Sequence, residues 1–146
     1  MVKQIFVNLP IKDLEKTKKF WLSLGFTFNP QFTDEKAGAL VLGENIFVML
    51  ITEPFFKTFV KKESASWLSS SSKLSEVINA VSVNTKEEVD ELIDKALAAG
   101  AVKYREADVY DWMYNRSFQD LDGHLWELVF MDMSKFPANS GASKNK

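Results

Sequence analysis

The side chains able to do chemistry are few, and their scarcity narrows the reactions open to this chain. There is no cysteine, which removes disulfides, thiolate zinc sites and thiol catalysis. The single histidine, His124, stands beside Asp122-Gly123, a pair that reads as a turn. One histidine alone does not make a metal site, and a serine-histidine-acid triad would have to be built around this turn residue, so turn chemistry is the favoured reading. No glycine-rich phosphate cradle, P-loop or nucleophile elbow occurs. One stretch differs in kind: Tyr110-Asp111-Trp112-Met113-Tyr114-Asn115-Arg116-Ser117-Phe118 gathers large aromatics, a methionine and an arginine. That composition suits stacking on a planar ligand and pairing with its anionic group. Trp112, Arg116 and Phe118 are its candidate ligand contacts, with core packing and dimer contact as the bland alternatives.

The elements that would position these residues repeat. Ile5 to Ile11 is apolar and β-rich, and Asp13 is a good N-cap for a helix carrying Leu14, Phe20, Trp21 and Leu24 on one side. That helix stops at Gly25, a natural left-handed C-cap. Strand candidates follow at Thr27 to Phe32, Gly38 to Leu42 and Ile46 to Thr52, with Gly43-Glu44-Asn45 as a hairpin turn. In the second half Val77 to Val83 is the first strand. Thr85 and Glu88 form a capping box for a helix bearing Val89, Leu92, Ile93, Ala96 and Leu97, which also ends at a glycine, Gly100. Strand candidates Val102 to Arg105, Arg116 to Asp120 and His124 to Met131 complete it. Both halves read βαβββ, with Ile11 aligned to Val83, Gly25 to Gly100 and Met49 to Glu127.

Between them Pro54 can start a short helix with Phe55, Phe56, Phe59 and Val60 on one side. Residues 63–72 read as a serine-rich linker or flap with Trp67 within it. The expected organisation is one domain over 1–133, with module one at 4–53, a connecting segment at 54–75 and module two at 76–133, followed by a disordered tail at 134–146. With 46% apolar residues a chain of 146 can bury a sizeable core. The 20 acidic and 18 basic residues are interspersed, with no basic block to neutralise phosphates, so nucleic acid is not an expected partner. No apolar run is long enough to span a membrane and no signal-peptide pattern opens the chain, so a soluble, cytoplasmic protein is expected.

A doubled βαβββ chain that opens Phe6-Val7-Asn8-Leu9-Pro10-Ile11-Lys12-Asp13-Leu14 and closes Asp120-Leu121-Asp122-Gly123-His124-Leu125-Trp126-Glu127-Leu128 resembles the vicinal oxygen chelate superfamily over roughly residues 4–132. This superfamily embraces glyoxalases, bleomycin-resistance proteins and extradiol dioxygenases. More narrowly, the chain resembles the predicted lactoylglutathione lyase-like branch. The resemblance implies an α+β fold in which two βαβββ modules form a cupped antiparallel sheet, with helices outside and ligand inside. It also implies a divalent metal, held by a histidine on the first strand and a glutamate on the last strand of each module. Here those four positions are Phe6, Ile78, Met49 and Glu127. Only Glu127 offers an oxygen, so no metal and no other cofactor is expected.

In the register that faces Ile5, Val7, Leu9 and Ile11 to the helices, period-two alternation lines the cup with Phe6, Asn8, Phe47, Met49, Ile51, Ile78, Ala80, Ser82, Leu125, Glu127 and Val129. A carboxylate in such apolar surroundings is costly, so Glu127 should be protonated or paired with a cation; Arg116, Lys57 and Arg105 are the candidates. The leading expectation is a protein binding a small apolar or aromatic molecule through Phe6, Asn8, Phe47, Met49, Ile78, Trp112, Arg116 and Phe118, without metal. The first alternative is an isomerase or lyase with Glu127 as general base. The second is a metal-dependent lactoylglutathione lyase or dioxygenase. Each module leaves the open side of its half-sheet to be closed, within the chain or by exchange, and a homodimer is expected.

Overall fold

The computed structural model describes residues 1–61 and 75–137. The serine-rich segment, Trp67 with it, and most of the tail lie outside the described residues. Module one comprises β1 (Ile5–Ile11), α1 (Leu14–Ser23), β2 (Thr27–Phe28), β3 (Ala37–Gly43) and β4 (Ile46–Thr52), followed by the single turn α2 (Glu53–Phe56). Module two repeats it as β5 (Ile78–Ser82), α3 (Lys86–Ala98), β6 (Asp108–Val109), β7 (Met113–Gln119) and β8 (Leu125–Met131).

The helix boundaries follow from side-chain chemistry. Asp13 Oδ1 accepts the Lys16 N–H at 3.1 Å, and Thr85 Oγ1 accepts the Glu88 N–H at 3.0 Å. Glu88 reaches back to the Asn84 N–H at 2.7 Å, one residue before the cap itself. Both helices end where Gly25 and Gly100 take φ of 95° and 109°, a region that side-chain-bearing residues avoid.

The chain forms two four-stranded sheets, ordered β1-β4-β3-β2 and β5-β8-β7-β6. The α+β, two-module reading therefore stands, but the sheets are mixed: β1 pairs with β4, and β5 with β8, in parallel. Parity explains the departure from a purely antiparallel sheet. A helical return after β1 starts β2 in the direction of β1, and two reversals bring β4 back to that direction. Asn8 lies beside Met49 and Ala80 beside Glu127, so Met49 and Glu127 hold equivalent places in the two modules. Two strand expectations are corrected. Val102 to Arg105 contributes only a bridge from Val102 to Gln119, and the strand itself forms later, at Asp108–Val109. β2 stops after two residues because Pro30 cannot donate to a ladder; Asn29 caps a 3-10 turn at Pro30–Phe32 instead.

One core joins the modules. The helix-side residues of both sheets, among them Leu9, Leu40, Val48, Leu50, Phe118, Trp126 and Leu128, pack with Phe20, Trp21 and Leu24 of α1 and Val89, Ile93 and Ala96 of α3. The Trp21 and Trp126 rings meet edge-on at 4.7 Å across the module boundary. The closing motif bolts this packing in place. Asp122 accepts the Lys12 N–H at 2.8 Å and the Thr17 hydroxyl at 3.2 Å, while His124 Nε2–H donates to the Pro10 carbonyl at 2.6 Å. Asp120 organises the turn from within, accepting from the Asp122 and His124 backbone N–H groups and from the Trp126 indole, each at 2.9 Å. Burial pushes the Asp120 carboxyl above its ordinary range, against the pull of His124 and these donors. His124 is thus a structural strut of the turn, as its sequence position implies.

Because the two helix-bearing faces share this core, the opposite faces, those assigned to ligand, point away from it. Phe6 and Ile78 remain 51% and 53% exposed there.

Candidate ligand-binding cleft

The register set by the alternation of β1 and β4 places Phe6, Asn8, Phe47 and Met49 on one surface. The Phe6 and Phe47 rings stack at 5.0 Å with an interplanar angle of 15°. Beside them a cleft of about 420 Å³ opens between Asn8, Met49 and Ile51 on the sheet and Phe55, Phe56 and Phe59 from the α2 turn. Lys36 lies over the Phe55 ring at 5.3 Å. The size and apolar lining suit a small organic molecule. Its three phenylalanines were legible as an apolar helix face, but nothing in their spacing assigns them to a ligand rather than to the core.

On the equivalent face of the second sheet lie Ile78, Ala80, Leu125, Glu127 and Val129. Of the two states foreseen for Glu127, the paired one is realised. Arg105 Nη1 donates to Glu127 Oε1 at 3.0 Å and Nη2 to Asp108 Oδ2 at 2.5 Å. Arg105 comes from the irregular stretch between the Val102 bridge and β6, which is why its selection over Arg116 could not be read from strand alternation. Asn115 and Ser117 of β7 sit on this same face, Ser117 opposite Glu127 and Asn115 opposite Asp108.

The aromatic stretch divides differently. Phe118 is buried on the helix side against Phe20 and Trp126, and Arg116 lies on that side too. Arg116 Nη1 reaches Asp90 at 2.7 Å and Asp94 at 3.3 Å, and the Tyr114 hydroxyl donates to Asp90 at 2.7 Å. Neither Phe118 nor Arg116 faces the cleft, because they pair with Trp126 and Leu128, the helix-side residues of β8, and alternation sends them to α3. Trp112 packs edge-on against Phe136 at 4.7 Å. The Tyr114 and Arg116 contacts hold the Asp90 carboxyl below its ordinary 3.8. The fold thereby favours its ionised form, a contribution complete above that value and lost as pH falls below it. Asp90→Asn is expected to remove this part of the acid-unfolding profile, followed by tryptophan fluorescence, while leaving ligand binding unchanged.

The four family metal positions can now be tested on their chemistry. Phe6 and Ile78 offer only carbon, Met49 a soft thioether and Glu127 a carboxylate already engaged by Arg105. Among the described residues no group of three or more histidine, cysteine, aspartate or glutamate side chains could hold a metal ion. The donor set does not fit a divalent cation.

Comparison with known proteins agrees with this architecture. The bleomycin resistance protein-like N-terminal family model matches residues 3–43. The structure of hypothetical protein SA1046 from S. aureus is 32% identical, covering 89% of this chain and 95% of that one, with a TM-score of 0.68. A glyoxalase/bleomycin resistance protein/dioxygenase family enzyme from Burkholderia phytofirmans PsJN superposes with a TM-score of 0.71 at 18% identity, covering 86% and 96% of the two chains. The chain has the fold of the glyoxalase/bleomycin resistance/dioxygenase proteins. The fosfomycin resistance protein FosX from Listeria monocytogenes also shares the fold, at 21% identity and a TM-score of 0.60, with 89% and 91% of the two chains covered. A search of curated proteins returns no match. The chain keeps the doubled module of this fold, and the four positions that the resemblance assigns to metal do not make a chelating set. Among the described residues no helix is long and apolar enough to cross a membrane.

Proposed function

We propose that this protein is a member of the glyoxalase/bleomycin resistance/dioxygenase superfamily that binds a small apolar or aromatic molecule, without a metal, on the face that carries Phe6, Phe47 and Met49. The observation that carries this reading is the cleft of about 420 Å³ lined by Met49, Ile51 and three phenylalanines. An apolar molecule entering it gains roughly 25 cal/mol for each Å² withdrawn from water, with Asn8 as the polar group that orients it. Exposure of Phe6 and Ile78 supports a homodimer in which a second copy covers these faces, and cytoplasmic residence is carried as part of the same proposal.

The test is direct. The neutral dye Nile red should bind the full chain with enhanced fluorescence, and Met49→Trp, which fills the cleft, should weaken binding at least tenfold while circular dichroism stays unchanged. Equal binding by the variant would overturn the assignment. Sedimentation should give a particle of twice the 16.6 kDa chain mass.

A second reading, isomerase or lyase chemistry with Glu127 as general base, draws on one feature: Glu127 Oε2 accepts no hydrogen bond from any described residue, leaving it free to take a proton. Turnover lost in Glu127→Gln with binding retained would favour it. Stoichiometric nickel or zinc in purified protein would instead support a lactoylglutathione lyase-like activity.

A further inference from the structure

We infer that the second sheet's ligand face is a recognition site for a protonated nitrogen, an amine or amidine on an aromatic body, and that Arg105 is its displaceable internal occupant. The inference rests on reading these faces as the ligand surface and adds the chemistry of the molecule that binds there.

Unfilled hydrogen-bonding capacity on this face defines the group it can hold. One guanidinium, Arg105, serves two carboxylates, Glu127 and Asp108, so the trio carries one surplus negative charge. Asp108 Oδ1 and Glu127 Oε2 receive no hydrogen bond from any described residue. Beneath them Asn115 and Ser117, only 6% and 4% exposed, leave Asn115 Oδ1 and Ser117 Oγ without a partner among the described residues. Cross-strand pairing joins these residues, Asp108 to Asn115 and Ser117 to Glu127, into one polar patch across β6, β7 and β8. The two carboxylate oxygens and the Asn115 amide oxygen can only accept a hydrogen bond, and the Ser117 hydroxyl can accept as well as donate. A buried acceptor without a donor is costly, and the group that relieves several at once while cancelling the surplus charge is a cation bearing several N–H bonds.

A carboxylate or phosphate would bring more acceptors and more negative charge to the same place, and a neutral hydrocarbon would leave the acceptors unmet. Arg105 already demonstrates the fit of a planar nitrogen cation. It stands on residues 103–107, outside any strand, so its side chain can leave without breaking a ladder. In the homodimer proposed above, the stacked Phe6 and Phe47 of a second copy would supply a surface for the aromatic body.

The test compares three probes of one shape on the intact chain by titration calorimetry at neutral pH and low salt: benzamidine, benzoate and benzyl alcohol. Benzamidine is expected to bind at least tenfold more tightly than benzyl alcohol, with no measurable benzoate binding. Glu127→Gln should weaken benzamidine at least tenfold and leave benzyl alcohol unchanged, while Arg105→Gln, which removes the competitor, should tighten benzamidine. Benzoate binding as well as benzamidine, or benzamidine indifferent to Glu127→Gln, overturns the inference. If in that case the probes still displace Nile red, the apolar cleft stands without its cation site; if none binds or displaces the dye, both readings fall. The wild-type comparison needs no variant to fold.

Discussion

Trp126→Ala is expected to destabilise the folded chain by about 3–5 kcal/mol, enough to leave a substantial unfolded fraction in a domain of ordinary stability. The indole is 1% exposed and touches Trp21 from the other module and Phe118 from its own strand pair, so its removal opens a cavity where the halves meet. It also strips Asp120 of a donor at 2.9 Å. Trp126→Phe separates the two losses. It keeps most of the ring volume and removes only the N–H, so about 1–2 kcal/mol should remain. Urea unfolding followed by circular dichroism measures both, and similar losses for the two variants would mean that the hydrogen bond, not the packing, carries the stability.

Asp122→Ala should cost about 3 kcal/mol, because it leaves the Lys12 N–H and the Thr17 hydroxyl without their carboxylate acceptor at a buried junction. Asp122→Asn keeps one oxygen toward the Lys12 N–H and can donate to the Thr17 hydroxyl, so it should cost about a third as much. Amide hydrogen exchange offers a local readout: the Lys12 N–H should exchange much faster in the alanine variant. Slow exchange there would show that β1 and α1 are held without the closing motif.

The fold was legible because its determinants are local. Caps at Asp13 and Thr85, stops at Gly25 and Gly100, and alternation along β1, β4, β5 and β8 need only neighbouring residues. The register of the candidate site was legible for the same reason, which is why Phe6, Asn8, Phe47 and Met49 share a surface. What could not be read required knowledge of distant partners. Arg116 and Arg105 are chemically alike, and only tertiary structure sends one to Asp90 and the other to Glu127. Phe118 has the composition of a stacking residue and the environment of a core residue, because it pairs with Trp126 on β8 and shares that residue's helix-side face. Asn115 and Ser117 carry no motif at all; their interest arises from a buried Asn115 Oδ1 and Ser117 Oγ that have no partner among the described residues.

The equivalence of Met49 and Glu127 has an evolutionary meaning. A chain made of two copies of one unit has the same backbone address twice, and a substitution at one leaves the other untouched. In the binding protein proposed here, thioether at one address and acid at the other would give a bound molecule unlike ends to meet, and hence a single way round. Selectivity in such a protein can drift one address at a time, with the scaffold indifferent to which chemistry each half has come to hold.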